Sequence, residues 1–254
     1  MRLGLVTYSL AKDWDLGTLI ANCEQTGFAG VELRTTHAHK VESDLNPTQR
    51  AEVRKRFAGS PVELVGLGTA FEFDMVDPAE LQCHIEGTKA YLQLAADLGA
   101  SGVKVRPNKL HEDEGVPRDQ TFAQIGRALR QCGESAADLG VQLRLEVHGR
   151  FTCEPPHIRT MLDYADHPSV VACWNSNPQD LDGGSIDGNF ALLAGRIGLV
   201  HINELWSDYP WRRLCELLRQ SGYAGYCLAE IAESPDPLRL MRYYRALWQL
   251  QAGV

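Results

Sequence analysis

One repeated unit constrains the fold of this chain more than any other feature: a short apolar strand followed by a longer helix occurs eight times. Strands are predicted at about 3–8, 29–34, 61–68, 102–106, 141–148, 170–175, 197–203 and 225–231. Helices are predicted at about 15–26, 47–58, 79–98, 119–139, 156–165, 187–195, 210–221 and 236–250. Glycines follow four of these helices, at Gly27, Gly99, Gly140 and Gly222, and prolines begin three helices, at Pro47, Pro78 and Pro237. Strands that alternate with helices of this length indicate a parallel sheet.

Eight such units predict a single closed (β/α)8 TIM barrel over residues 1–254, a length typical of that fold. An open, doubly wound sheet of eight strands is the alternative. No GxGxxG motif follows the first strand, which weakens a dinucleotide-binding sheet.

Polar side chains interrupt the apolar strands at regular positions. Parallel strands covered on both faces normally contain continuous apolar runs, yet residues 141–148 alternate between apolar and polar. Arg144, Glu146 and His148 therefore point to one side of the fifth strand. Similar pairs occur in the second, fourth and seventh strands. Because an unpaired buried charge is costly, these groups must be paired, bind a metal or face a wet cavity.

Four of these polar residues lie at the ends of the last four strands. They are Glu146, Asn175, His201 and Glu230. In a barrel these strand ends are neighbours, and function lies at that face. Two carboxylates, an imidazole and an amide oxygen suit a divalent cation with open positions for substrate. The alternative is that the two glutamates pair with Arg144, Lys104 or Arg34 and that His201 is a core histidine.

Six sequence segments resemble one known family. They are TGFAGVELR at 26–34, GVKVRPN at 102–108, RLEVHGR at 144–150, CWNSN at 173–177, VHINE at 200–204 and GYCLAEI at 225–231. Together they resemble the sugar phosphate isomerase/epimerase family of xylose isomerase-like barrels, over nearly the whole chain. GVELR and VHINE are fairly specific as a pair, and each alone is weak.

The resemblance implies a metal ion held by Glu, Asp, His and Glu from the last four strands. These positions correspond to Glu146, Asn175, His201 and Glu230, and the two glutamates also act as the acid/base pair in the family's epimerases. Asn175 departs from the usual Asp, and Pro178 stands where a histidine often follows. The ligand set then carries a charge of −2 rather than −3. We therefore expect one divalent ion (Mn, Mg, Zn or Co) to bind weakly, or in the extreme not at all.

Further residues are candidates for contact with substrate. The predicted substrate-binding set is His148, Arg106, Lys104, His37, Arg34 and Trp174. Arginine suits a phosphate or carboxylate, and an aromatic wall suits a sugar ring. Each also has a structural alternative: the cationic side chains can pair with Glu32, Glu72 or Glu146, His37 can lie in a solvated loop, and Trp174 can pack in the core.

The leading functional hypothesis is a metal-dependent isomerase or epimerase. It would act on a sugar, a sugar phosphate or a short hydroxy-keto acid by proton transfer next to a carbonyl, through an enediolate. A dehydratase or lyase on the same site is one alternative. A non-catalytic, sugar-binding barrel whose metal site has decayed is another, and Asn175 favours it.

Charge and cysteine content bear on partners and compartment. The net charge of −8 argues against a protein that coats nucleic acid, and no apolar run is long enough to cross a membrane. The seven cysteines are odd in number, scattered and free of CxxC pairs, which favours a reducing, cytoplasmic setting. We expect a small-molecule carbohydrate as the partner. The aromatic C-terminal helix leaves a homodimer open.

Overall fold

The computed structural model describes residues 1–253 and contains eight strands and eight α-helices in strict alternation. The strands are β1 (Arg2–Val6), β2 (Gly30–Arg34), β3 (Glu63–Glu72), β4 (Gly102–Arg106), β5 (Gln142–Glu146), β6 (Val170–Asn175), β7 (Ile197–Ile202) and β8 (Tyr226–Ala229). The helices are α1 (Leu16–Thr26), α2 (Pro47–Ala58), α3 (Pro78–Leu98), α4 (Arg118–Asp138), α5 (Pro155–Ala165), α6 (Asp187–Leu193), α7 (Trp211–Gln220) and α8 (Pro237–Ala252). Val254, the last residue of the predicted domain, lies outside the described residues.

The strands form a closed barrel in sequence order. Every neighbouring pair is parallel, and β8 pairs back onto β1. The prediction of a single (β/α)8 barrel is confirmed, and the open-sheet alternative is wrong. Strands β5 and β8 end earlier than predicted, at Glu146 and Ala229.

Local sequence explains where several helices begin and end. The Asp15 side chain accepts a hydrogen bond from the Thr18 backbone N–H at 2.7 Å and so begins α1. Asn46 and Gln49 form a reciprocal capping box at the start of α2. Gly27, just after α1, has φ of 75°, a left-handed conformation that glycine adopts without steric cost.

Glycines on the inner wall make room for charged side chains within the barrel. A Cβ atom on Gly66 would lie 2.9 Å from Arg144 Nη1, and one on Gly68 would lie 2.8 Å from Glu32 Oε1. Both charged side chains are almost fully buried. The interior therefore holds ionisable groups where many barrels pack branched apolar ones.

The C-terminal helix covers the barrel with only part of its aromatic surface. Tyr244 and Trp248 are buried, and the Tyr244 hydroxyl donates to the backbone oxygens of Ile202 and Asn203. Tyr243 stays exposed. Across residues 1–253, none of the helices combines the length and apolar character needed to cross a membrane.

Candidate active site

The four predicted ligand residues meet at the carboxyl ends of the last four strands. Glu146 and Asn175 end β5 and β6, His201 lies in β7, and Glu230 directly follows β8. His201 Nδ1 is 3.3 Å from Glu146 Oε1 and 3.7 Å from Glu230 Oε2. The Asn175 amide nitrogen lies 3.5 Å from Glu146 Oε1. The strand ends therefore bring both carboxylates, the imidazole and the amide to one point.

Glu32 of β2 lies behind this cluster, on the other side of the histidine ring. Its Oε1 is 3.3 Å from His201 Nε2, and both side chains are fully buried. No hydrogen bond joins these two atoms among residues 1–253, so the carboxylate acts on the ring through its negative charge. The other ring nitrogen, Nδ1, faces Glu146 and Glu230.

Lys104 of β4 forms a buried ion pair with one of the predicted ligands. Its Nζ donates to Glu146 Oε2 at 2.8 Å, and the two side chains are 1% and 2% exposed. The other oxygen of Glu146, Oε1, faces His201 and Asn175. The pair therefore fixes which oxygen of Glu146 points towards the cluster.

The pKa values of the two glutamates are shifted in opposite directions because their neighbours differ. Burial alone would raise the pKa of Glu146, but Lys104 and His201 outweigh it and hold that pKa well below its usual value. The pKa of Glu230 is raised, chiefly by burial and also by the negative charge of Glu146. Divergent acidities of this kind are typical of acid/base sites.

The residues present fit a divalent cation. One ligand atom each from Glu146, His201 and Glu230 lies within 4.8 Å of the others, a spacing that suits a central ion about 2.1 Å from each donor. His201 Nδ1 and Asn175 Oδ1 are buried and accept or donate no hydrogen bond within residues 1–253. Because buried polar atoms are normally satisfied, these two atoms indicate a missing partner.

The cluster opens into a cavity of about 220 Å³. Its lining residues are Tyr8, Arg34, Arg106, Glu146, His148, Asn175, Asn203 and Glu230. Three of the predicted substrate-binding residues, Arg34, Arg106 and His148, are therefore brought to the cavity. Tyr8 and Asn203 were not predicted as site residues. Both lie at or just beyond strand ends, which is the signal that could have identified them.

The other three predicted substrate-binding residues are absent from the cavity lining. Lys104 lies beneath it, paired with Glu146. His37 is half-buried, with Nδ1 3.0 Å from the Thr7 hydroxyl.

Trp174 is fully buried on the outer face of β6, because its neighbour Asn175 takes the inward position. It packs on Phe190 and donates to the Tyr209 hydroxyl at 3.2 Å. The structure thus places Trp174 in the core, where it cannot stack on a substrate.

The fold is shared with solved sugar epimerases of low sequence identity. A D-psicose 3-epimerase from Clostridium cellulolyticum H10 has a TM-score of 0.83 at 15% identity, covering 100% of this chain and 99% of that one. An L-ribulose 3-epimerase has a TM-score of 0.81 at 18% identity, covering 99% and 94%. The IOLI protein, solved with a zinc atom, has a TM-score of 0.75 at 14% identity, covering 99% and 96%. These likenesses show the common fold.

No curated protein matches this chain significantly in sequence. The model of one protein family does match it, over residues 20–247. That range contains seven of the eight strands and all four residues of the proposed cation site. The chain therefore belongs to the xylose isomerase-like TIM barrel family.

Proposed function

We propose that this protein is a sugar isomerase or epimerase that binds one divalent cation at Glu146, Asn175, His201 and Glu230. The observation that carries the proposal is the convergence of two carboxylates and an imidazole within 4.8 Å at the floor of a cavity. The epimerases that share the fold are consistent with it. The small cavity favours a compound of few carbons, because pockets for larger ligands usually exceed about 300 Å³.

The proposed chemistry divides between the two glutamates. In an epimerase one carboxyl group takes a proton from the carbon next to the carbonyl and the other gives a proton to the opposite face of that carbon. Glu146 and Glu230 both line the cavity and suit this acid/base pair. Glu146 stays ionised beside Lys104 and anchors the cation. A bound divalent cation (Mn, Mg, Zn or Co) would stabilise the negative charge that develops on the enediolate oxygens. Arg34, Arg106 and His148 would contact the rest of the substrate.

Metal analysis is the first test. Protein dialysed against Mn²⁺, Mg²⁺, Zn²⁺ or Co²⁺ should retain about one ion per chain by elemental mass spectrometry, as expected for a single four-residue site. Glu146→Gln and Glu230→Gln should lose it, whereas Glu134→Gln, at an exposed carboxylate on α4, should not.

An aldose–ketose and epimerisation panel with the retained metal follows. We expect both ligand variants to lose about 10²–10⁴-fold in turnover, the usual contribution of a positioned acid or base. Full activity in either variant would refute the assignment, and water elimination among the products would indicate a dehydratase instead.

A second candidate function is a non-catalytic, sugar-binding barrel. Two observations favour it: Lys104 already neutralises Glu146, and Asn175 brings no charge to the cluster. Absence of bound ion under every dialysis condition, together with binding of a sugar to the cavity, would establish this function in place of catalysis.

A further inference from the structure

The cavity lining contains two chemically different groups of side chains. Glu146 and Glu230, together with Asn175, supply acceptor groups. Arg34, Arg106 and His148 supply donor groups and form the basic wall of the cavity. The basic wall borders the cation site, because Arg34 Nη1 lies 3.7 Å from Glu230 Oε1.

Arg34 is the member of the basic wall whose guanidinium donates no hydrogen bond to residues 1–253. The hydrogen bonds of Arg34 to side chains within residues 1–253 are made by its backbone. Its backbone N–H donates to the Thr7 hydroxyl, and its backbone oxygen bonds to the His39 ring. The carboxylate nearest to it, Glu230, is 3.7 Å away, which is beyond hydrogen-bond distance. A guanidinium carries five N–H donors, and a partly buried one is normally satisfied.

The orientation of this guanidinium is nevertheless fixed. Its central carbon lies 5.5 Å from the centre of the Tyr8 ring, within the range of a cation–π contact. The Arg34 side chain is only 22% exposed. It is therefore held in place with free donors and does not move freely in solvent.

Arg106 and His148 differ from Arg34 in this respect. Arg106 Nη2 is paired with Glu72 and also donates to the backbone oxygen of Ala70, whereas its buried Nε has no partner within residues 1–253. His148 offers at most two ring N–H donors, and its buried Nδ1 has no partner within residues 1–253. Arg34 is thus the cation of this wall with the most unengaged donors.

From this geometry we infer that Arg34 forms an oxyanion subsite beside the cation site, and that the substrate carries a carboxylate or a phosphate that this subsite binds. The planar fork of arginine matches two oxygens of either group. The identification of that oxyanion as part of a substrate rests on the proposed function. The subsite itself can be tested without turnover.

Titration calorimetry at constant ionic strength tests the subsite with three probes: inorganic phosphate, D-glycerate and uncharged glycerol. Each is titrated into metal-free protein and into Mg²⁺-equilibrated protein. We expect at least one anion to bind while glycerol does not. The stronger anion identifies the source of the oxyanion, because phosphate and carboxylate differ in charge and in oxygen number.

The variants assign the binding to one side chain. Arg34→Gln should weaken anion binding about 10–100-fold, the range of a hydrogen-bonded charge pair. The anion affinity of Arg34→Lys should lie between those of the unaltered protein and Arg34→Gln, because lysine keeps the charge and lacks the planar guanidinium. Arg54→Gln, at an exposed arginine on α2, should bind as the unaltered protein does. Circular dichroism confirms that each variant is folded.

Two results would overturn the subsite. One is that neither anion binds in either metal state, as expected if Arg34 only neutralises Glu230. The other is that Arg34→Gln binds anions as tightly as the unaltered protein. Failure of the proposed function has a different signature, namely no bound Mg²⁺, and the metal-free titrations still report on Arg34 in that case.

Discussion

Two sets of buried charge lie inside this barrel, and they differ in how fully they are satisfied. Arg144, two residues before Glu146 on β5, donates to the Val65 backbone oxygen at 3.1 Å, to the Ser101 hydroxyl at 2.7 Å and to the Gln142 side chain. The cluster above it contains Glu32, Asn175 and His201, whose side chains retain buried atoms without hydrogen bonds among residues 1–253. Arg144, whose donors are satisfied, therefore supports the fold, whereas the unsatisfied atoms of the cluster indicate a place where a ligand can bind.

The largest expected effect is on stability, and it comes from removing the satisfied charge of Arg144. Arg144→Met should lower the free energy of unfolding by about 3–5 kcal/mol, because it removes one partner of a buried charged network and leaves Glu32 less compensated. Urea unfolding followed by circular dichroism measures it. Arg242→Met, at an exposed arginine of α8, serves as the control and should change stability by no more than about 0.5 kcal/mol. An Arg144→Met protein as stable as that control would show that the satisfied charge is dispensable.

The buried carboxyl group of Asp180 belongs to neither set, and it should make the stability of the protein depend on pH. Burial raises its pKa to about 7, although Tyr209 and the Asn177 backbone N–H donate to it. The ordinary value is lower, so between about pH 4 and pH 7 the folded state binds the extra proton. Stability should therefore fall as pH rises through this window, by up to about 4 kcal/mol.

Asp180→Asn isolates this contribution. The amide can accept both hydrogen bonds and never ionises, so the unfolding free energy of Asp180→Asn should lack the Asp180-dependent decline between about pH 4 and pH 7. Urea unfolding of both proteins at several pH values makes the comparison. Parallel curves for the two proteins would exclude Asp180 as the titrating group.

Much of the fold was predictable because it rests on local patterns. The helix-ending glycines and the alternation of strands with helices gave the closed barrel, and the strand-end positions of Glu146 and His201 placed them in one cluster. The sequence did not reveal which charges would pair. Lys104 and Arg106 share one face of β4, yet the former lies beneath the cavity and the latter lines it. That choice depends on distances between strands far apart in sequence.

The sequence also could not predict the direction of Trp174 or the space left by two strand glycines, because both depend on the packed barrel. Trp174 follows the alternation of β6 outward to Phe190, so a wall of aromatic residues near the site could not be assumed from proximity in sequence. Gly66 and Gly68 resemble ordinary strand glycines, but their missing Cβ atoms make space for Arg144 and Glu32. Such space is a property of the packed barrel.

A smaller effect tests the role of the one residue that departs from the family's ligand pattern. Asn175→Asp should raise the affinity for Mn²⁺ by about tenfold, or 1.4 kcal/mol, because the ligand set gains a negative charge. The metal-free variant should be less stable, since the new carboxylate would face Glu146 Oε1 across the 3.5 Å now bridged by the amide. Competition with a chelator measures the affinity. Weaker Mn²⁺ binding in the variant would mean that Asn175 acts only as a donor to Glu146.

The smallest effect expected in metal-free protein is at Glu230, a residue of the proposed cation site. Its raised pKa means that the surroundings of the metal-free site disfavour its charge, so a neutral amide should be tolerated. Metal-free Glu230→Gln should match or exceed the stability of the unaltered protein by no more than about 1 kcal/mol. Saturating Mg²⁺ should reverse the order, because binding to the folded state alone adds about 2.7 kcal/mol at a hundredfold excess over Kd. Thermal unfolding with and without Mg²⁺ measures both states. A stability order that Mg²⁺ leaves unchanged would mean that Glu230 holds no cation, and its buried carboxylate would then belong with Arg144 among the structural charges.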